Sequence, residues 1–550
     1  MRRSRLTLAV ALVSLFGPLA CPSSAAFAQE AQDLFTDTLD VQAVDIEAVV
    51  TDRRGDPVPG LKASDFRLVV DGKPVPIEFF AEIHEGAVVA SAAEGAPPAP
   101  PSLRESTGTG NSYLVFIDEF FTPPAMRNEA LKALAREVDG LRPQDRMAIV
   151  AYDTRKLTVL APWMQPGEPL RQFLLKLADH KSGFAATPFS ISELEPSAHR
   201  LLTVYEDLAD ARDLMERATG DRGNGASGYT SKSMQVLEAQ LIERTIGATV
   251  EAMRVFAPVS GRKLLVLLSG GWNYDIGTKK KTLDSKERLR PLIDASNSFD
   301  YTIYPVHLAQ EAGVNLPRSG TVAGGAGAGI GTGTSFIGSA SQNSLILTAE
   351  ETGGKMLLPG SNRHLSRIAA DTGSYYWLGF THTGGGERRE LKVETVRQNL
   401  QVRSRSAFVP LSRQARSEMN LQRALLARDT AGMEPLNVAA GELQPLESGM
   451  GELEVTVRIP ADQIELLRHD NQHKGKLELR IAALDDQGRR SEVPVLAIDI
   501  ARPEAPKPGS VIRYDTRLRV RYAPQDIQFV VSDLLSGKSF AERIRVVPKI

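Results

Sequence analysis

The sequence predicts an α/β protein built on a mostly parallel sheet, with β-sandwich modules on either side of it. Three observations carry this prediction. Apolar runs such as "SYLVFI" and "KLLVLLS" take turns with helix-patterned stretches between residues 112 and 374. Strands buried on both faces read as continuous apolar runs, and strand–helix alternation places them in a parallel sheet. Outside that region the residues alternate apolar and polar instead, as half-buried antiparallel strands do.

At 550 residues the chain is too long for one core, and two to four domains are expected. With 42% hydrophobic and 24% charged residues, most of it should fold. A net charge of −2 offers no electrostatic footprint for nucleic acid or an anionic membrane.

The first element, residues 1–28, reads as a signal peptide. Three arginines precede a short apolar run, and Ala26-Phe27-Ala28 ends an A-x-A-like site. Cleavage near Ala28 removes Arg2, Arg3 and Arg5 and takes the net charge from −2 to −5. The expected location is therefore secreted or periplasmic. The single cysteine, Cys21, lies inside the signal, so the mature chain has no disulfide or thiol chemistry. The alternative is a lipid anchor on Cys21 in "PLAC", where Pro18 stands in place of the usual branched residue. No later segment is long and apolar enough for a transmembrane helix.

Residues 40–90 alternate as strands. They break at Arg54-Gly55-Asp56-Pro57, a turn whose adhesion-like tripeptide is read as turn chemistry, and again at the hairpin signal Asp71-Gly72. Residues 91–111 are small, polar and Pro-rich, a linker. The strand "SYLVFI" follows. Met126, Ala130, Leu134, Val138 and Leu141 then recur at helical spacing. "RMAIVAY" and "KLTVLAPW" read as strands. A polar insertion over 190–257 ends in the amphipathic "MQVLEAQLIERTIGATVEAMRVF". "KLLVLLS", a helix over 284–299 and "YTIYPVHL" complete the alternation. Residues 319–340, almost all Gly, Ala, Ser and Thr, read as a flexible loop because they lack the strand, helix and spacing of a dinucleotide fingerprint. Helix, short strand and helix are expected over 343–371. Strands return over 375–410, a helical linker spans 411–440, and an Ig-like β-sandwich is expected over 441–550. In "RLRVRY", Arg517, Arg519 and Arg521 share a face that is read as solvated.

"SYLVFIDEFFTPPAMRNEALKALAREVDGLRPQDRMAIVAYDTRKLTVLAPW" and "GRKLLVLLSGGWN" resemble a von Willebrand factor A-type (VWA) domain. The flanking "VDIEAVVTDRRGDPVPGLKASDFRLVVDGKPVPIEFF" and "EETGGKMLLPGSNRHLSRIAADTGSYYWLGFTHTGG" resemble the VWFA-related group of the Acidobacteria type. The resemblance covers roughly residues 40–410. It implies a doubly wound, Rossmann-like sheet at 112–374, with a ligand edge at the C-terminal ends of its strands. The strands at 40–90 and 375–410 are expected to pair into one β-sandwich around it.

That resemblance also implies where a metal-ion-dependent adhesion site would lie. Metal-binding relatives carry D-x-S-x-S, a loop threonine and S-D-G, oxygen ligands suited to Mg²⁺ or Mn²⁺. Here the first aspartate is Asp118, the serines fall on Phe120 and Thr122, and the S-D-G motif becomes Ser269-Gly270-Gly271. Thr187 in "GFAATPF" is the candidate for the loop threonine. Asp118, Thr122, Ser269 and Thr187 form the remaining ligand set, a degenerate one, since Phe120 and Gly270 supply no ligand. No cofactor is expected, with Mg²⁺ or Mn²⁺ as the alternative. Glu119 follows a strand-end aspartate and should face the opposite side.

Other motifs are set aside. His469 and His473 are four apart in a polar stretch that borders Gly475 and lacks a third ligand, and the stretch is read as a solvated loop. There is no G-x-S-x-G, H-E-x-x-H or phosphate loop. The expectation is a non-enzymatic, exported protein of adhesion or scaffold type. Its partner is another extracytoplasmic protein, bound at an edge formed by Glu119, Phe120, Phe121 and Trp272, although Trp272 reads equally well as a core residue. Two alternatives stand beside it: an extracellular hydrolase with its site in the insertions, and a VWA domain with a working Mg²⁺ site.

Overall fold

Alternation builds the first sheets. The computed structural model describes residues 41–89, 97–98, 110–154, 156–179, 230–257, 261–272, 279–308, 332–358, 363–383, 386–430, 432–469, 471–486, 489–492 and 495–549. In β1 (Val41–Thr51), Val44, Ile46, Ala48 and Val50 face one core, two residues apart. β2 (Phe66–Val70) and β3 (Lys73–Val75) form a hairpin; β4 (Phe79–His84) and β5 (Ala87–Val89) follow. Between β2 and β3, Asp71 and Gly72 both take positive φ, 49° and 77°, as a two-residue type I′ turn requires. After β1 the Asp52 carboxylate accepts the backbone N–H groups of Arg54 (2.7 Å) and Asp56 (3.0 Å). The Arg-Gly-Asp tripeptide is thus held as a turn by its preceding aspartate.

The middle of the chain runs β6 (Asn111–Asp118), α1 (Pro124–Glu137), β7 (Arg146–Tyr152), β8 (Leu157–Met164), α2 (Glu168–Asp179), α3 (Thr230–Phe256), β9 (Arg262–Ser269), α4 (Lys279–Ser298), β10 (Tyr301–His307), α5 (Thr332–Glu351) and α6 (His364–Thr372). Its sheet has the order β10–β9–β6–β7–β8, parallel except for the β7–β8 edge. Every residue of β6 is buried, the reason its sequence shows no alternation. Phe116 and Leu267 pack with Ile246, Met253 and Leu289 on one face. Val115 and Val266 pack with Leu131, Leu134 and Leu170 on the other.

The chain then returns to the first sheets with β11 (Ser374–Thr383), β12 (Arg389–Thr395), β13 (Gln401–Arg403) and β14 (Ala407–Phe408). One sheet has the order β13–β1–β11–β4–β5 and the other β14–β12–β2–β3, both antiparallel. Strands from before residue 90 and after residue 373 therefore interleave. Phe66, Phe80, Tyr376, Leu391 and Phe408 fill the space they share.

The C-terminal part begins with α7 (Arg413–Gln422), whose Ser412 N-cap accepts the Ala415 N–H at 3.1 Å. Then come β15 (Glu434–Pro435), β16 (Asn437–Ala440), β17 (Gln444–Pro445), β18 (Met450–Pro460), β19 (Leu467–His469), β20 (Gln472–Asp485), β21 (Arg490–Glu492), β22 (Leu496–Arg502), β23 (Val511–Arg521), β24 (Gln525–Asp533) and β25 (Ser539–Val546). β18 lies between β16 or β17 and β23; β20 lies between β24 and β22. Leu453, Val457, Leu479 and Phe529 fill the core between these two sheets. The turn after α7 wedges Ala424, Leu425 and Leu426 between this sandwich and the parallel-sheet region, in one cluster with Val530 and Phe256.

The fold class expected for the chain is corrected by these sheets. Among the described residues strand outweighs helix, 45% against 27%, and several of the sheets are antiparallel, so this part of the chain is largely β-sandwich without a clear doubly wound VWA core. The parallel sheet is one of five sheets among the described residues. The apolar runs of its strands dominated the sequence pattern because both faces are covered, whereas the far more numerous one-sided strands give a weaker signal. Two smaller readings also change. Residues 332–340, read as loop, begin helix α5, while 319–331 lie outside the described residues. His469 and His473 sit on the paired strands β19 and β20 around Asn471 at φ 60°, not in an open loop. The signal segment, Cys21 and Thr187 lie outside the described residues. No helix among the described residues is long and apolar enough to cross a membrane.

Candidate functional site

The parallel strands end together, and their last residues set the chemistry of the rim. Alternation along β6 sends Leu114 and Phe116 to one face, Tyr113, Val115 and Ile117 to the other. Asp118 continues the first series and Glu119 the second. The two carboxylates are neighbours in sequence with opposite surroundings.

Asp118 is fully buried. Its Oδ2 accepts the Ser269 hydroxyl at 2.7 Å and the Trp272 indole N–H at 3.2 Å. Its Oδ1 accepts the backbone N–H of Phe121 at 3.1 Å. Ser269 Oγ in turn accepts the Gly271 N–H at 3.1 Å, and the Trp272 N–H is donated to Ser344 on α5 at 3.3 Å. Gly271 takes φ +85°, a conformation that costs a glycine little and brings the following tryptophan under the sheet rim. Burial raises the Asp118 carboxyl to about 6, against the pull of the Ser269, Phe121 and Trp272 donors. Every donor facing it is neutral.

Glu119 is countered differently. Arg127, in the first turns of α1, places Nη1 at 2.9 and 2.7 Å from the two carboxylate oxygens, and both side chains are buried. Burial nevertheless holds Glu119 above its ordinary range, with Arg127 pulling the other way. Arg127 also reaches the Asn128 side chain at 2.9 Å. This pair is a buried clamp between the end of β6 and α1, and nothing in the sequence spacing signalled it.

The structure thus brings Asp118, Thr122 and Ser269 to one rim, but commits each of them. The Thr122 hydroxyl is turned to the Leu268 carbonyl at 3.4 Å. The indole N–H of Trp272 occupies the carboxylate oxygen that a cation would need, and a donor hydrogen there repels a cation. Among the described residues Asp118, Thr122 and Ser269 are therefore all engaged by protein groups, in an arrangement that leaves no side-chain oxygen turned to a cation. Among the described residues there is no group of three or more His, Cys, Asp or Glu side chains suited to a metal.

The expected partner-binding edge divides. Trp272 is fully buried and Glu119 nearly so, which corrects both as surface anchors: the first is a hydrogen-bond lid on Asp118, the second half of an ion pair. Phe120 and Phe121 are half-buried and meet edge to face, their ring centroids 4.9 Å apart at 81°. Phe121 leans on the core and Phe120 stands outside it.

No family model matches the chain, and no curated protein matches it. Among solved structures it is similar to a structural-genomics target, at 19% identity over 21% of this chain and 88% of that one, with a TM-score of 0.15. It is similar to a β-glucuronidase of Bacteroides uniformis at 9% identity over 32% of this chain and 19% of that one, TM-score 0.15. The pilus adhesin SpaC of Lactobacillus rhamnosus GG matches at 8% identity over 80% of this chain and 57% of that one, TM-score 0.23. Likenesses this weak carry no argument about fold or function.

Proposed function

We propose that the chain is an exported, non-enzymatic interaction protein that engages its partner without a divalent cation, at the rim around Phe120 and Phe121. The observation that carries this reading is the closure of Asp118 by Ser269, Trp272 and Phe121. A carboxylate held by three internal donors is not poised to accept a proton from a substrate or to hold a metal. Beside it, a half-exposed aromatic pair provides rigid contact area of the kind that concentrates binding energy. The charged-then-apolar N-terminus supports export.

The test is a side-by-side capture from the native envelope fraction with the wild-type chain and Phe120→Ser, each in EDTA and in Mg²⁺. A partner retained by wild type in EDTA and lost by the variant supports the reading. Identical recovery by both chains, or recovery that needs Mg²⁺, overturns it. Thermal unfolding gives a second check: adding Mg²⁺ should leave the midpoint where it is, because a ligand of the folded state would raise it.

A further inference from the structure

The turn after β1 carries more than its own conformation needs. It is a hairpin tip: the Asp52 N–H donates to the Asp56 carbonyl at 2.9 Å, the Val58 N–H to the Val50 carbonyl at 3.0 Å, and Thr51 bridges Pro57. Asp52 supplies the carboxylate that holds the turn, through the N–H groups of Arg54 and Asp56. Gly55 supplies the positive φ, 90°. Arg53 fastens the tip to the Asn399 side chain. The side chains of Arg54 and Asp56 have no part in any of this.

Both residues are exposed, and among the described residues neither side chain has a hydrogen-bond or ion-pair partner. A Cβ added at Gly55, between them, would meet nothing within 4 Å, so the tripeptide stands in open space. One cation and one carboxylate, a glycine apart, are therefore displayed on a backbone whose shape is fixed before any partner arrives. Binding residues concentrate on loops positioned by a rigid scaffold, and a preorganised loop loses less freedom on binding. From Asp52 to Asp56 two arginines balance two aspartates, which gives no attraction to an anionic surface.

We propose that this tip is an adhesive loop for a metal-bearing receptor outside the cell. The Asp56 carboxylate takes an open position on a divalent cation that the receptor holds, a hard ion that prefers oxygen ligands. The Arg54 guanidinium pairs with a receptor carboxylate beside that cation, through two parallel N–H donors. A hairpin tip enters a partner's cleft, so the cation belongs to the partner and not to this chain. The contact is separate from the rim: it calls on neither Phe120 nor Asp118, and shares with that reading only the export of the chain.

Biolayer interferometry of the full chain against a soluble integrin ectodomain that binds Arg-Gly-Asp peptides tests this. Saturable binding is expected in Mn²⁺, with loss in EDTA and in excess Gly-Arg-Gly-Asp-Ser peptide. The Gly-Arg-Gly-Glu-Ser peptide should not compete. Asp56→Glu keeps the charge but moves the carboxylate one methylene outward. It should weaken binding about tenfold or more, as should Arg54→Gln, since each loses a contact made by a charged group. Neither side chain bonds to the fold, so both variants should unfold at the wild-type temperature. Absence of binding in Mn²⁺, binding that survives EDTA, competition by the Glu peptide, or full binding by either variant overturns the proposal.

Discussion

The rim of the parallel sheet and the outer face of the C-terminal sandwich both carry charge, under opposite conditions. At the rim, Asp118, Glu119 and Arg127 are each less than a tenth exposed. On the sandwich, β18 and β23 run side by side with Glu454 opposite Arg517 and Thr456 opposite Asp515, and Glu454 and Arg517 are about two-thirds exposed. Water solvates the second set whether or not its members pair, so their pairing contributes little. The first set has exchanged water for protein donors, and each missing donor exposes a desolvation cost. The same residue types therefore have unequal leverage, and substitutions can rank it.

The largest effect should follow Arg127→Ala. It leaves Glu119 buried beside Asp118 with no counter-ion, and breaking such a pair costs about 3–5 kcal/mol. Urea unfolding of the variant should show this as a lowered midpoint. Replacing both partners by methionine should recover much of the loss, because the desolvation cost leaves with the charges. If the double variant is no better than Arg127→Ala, the clamp is not an electrostatic one.

Asp118 supplies the next effect, as a pH dependence. Its folded carboxyl titrates near 6 against an ordinary 3.8, so the folded state binds more protons than the unfolded state between these values. Stability therefore falls as pH rises through that window, by about 3 kcal/mol in all, and the full cost is present above it. The quantity to measure is the stability of wild type relative to Asp118→Asn at pH 4 and pH 7. Wild type should lose ground to the variant as pH rises. A flat difference would mean that Asp118 titrates as an ordinary carboxylate and that the rim is wetter than its geometry.

How much of this was legible beforehand depends on whether a signal is local. "SYLVFID" announces a buried strand delivering an acid to a sheet end, and Asp118, Thr122 and Ser269 do meet there. Asp71-Gly72 announces its hairpin with equal economy. The partners that decide the rim's chemistry are not local. Trp272 reads equally well as a surface anchor or a core residue until the backbone at Gly271 turns it inward. Arg127 shares its helix face with Ala130, Leu131 and Leu134, which marks it as buried, but its partner Glu119 lies outside the helix, so no helical spacing pairs them. The expected fold class fails because continuous apolar runs are conspicuous while one-sided strands are faint. The pairing of 40–90 with 375–410 is expected only through the resemblance, since the register of β1, β11 and β4 spans hundreds of residues and leaves no local mark.

Trp272→Phe isolates the indole hydrogen bond. The ring volume is largely kept, but Oδ2 of Asp118 loses one of its two side-chain donors. A hydrogen bond to a charged group contributes about 1.5–3 kcal/mol, so a destabilisation of that order at pH 7 is expected. The loss should shrink at pH 4, where Asp118 is protonated, and the carboxyl should titrate higher than in wild type. An equal loss at both pH values would assign the effect to packing alone.

The smallest effect belongs to the other region. Arg517 Nη2 lies 3.0 Å from Glu454 Oε1 on neighbouring strands, a good cross-strand pair by distance. Exposed pairs of this kind contribute about 0.2–1 kcal/mol, and salt screens them further. A double-variant cycle with Arg517→Ala and Glu454→Ala should return a coupling within that range, falling further in 1 M salt. The same cycle on Arg127 and Glu119 should return a several-fold larger coupling that is nearly insensitive to salt, because buried charges are screened far less. If both couplings collapse together in salt, the rim is open to solvent, and the closed carboxylate on which the cation-independent reading depends would have to be abandoned.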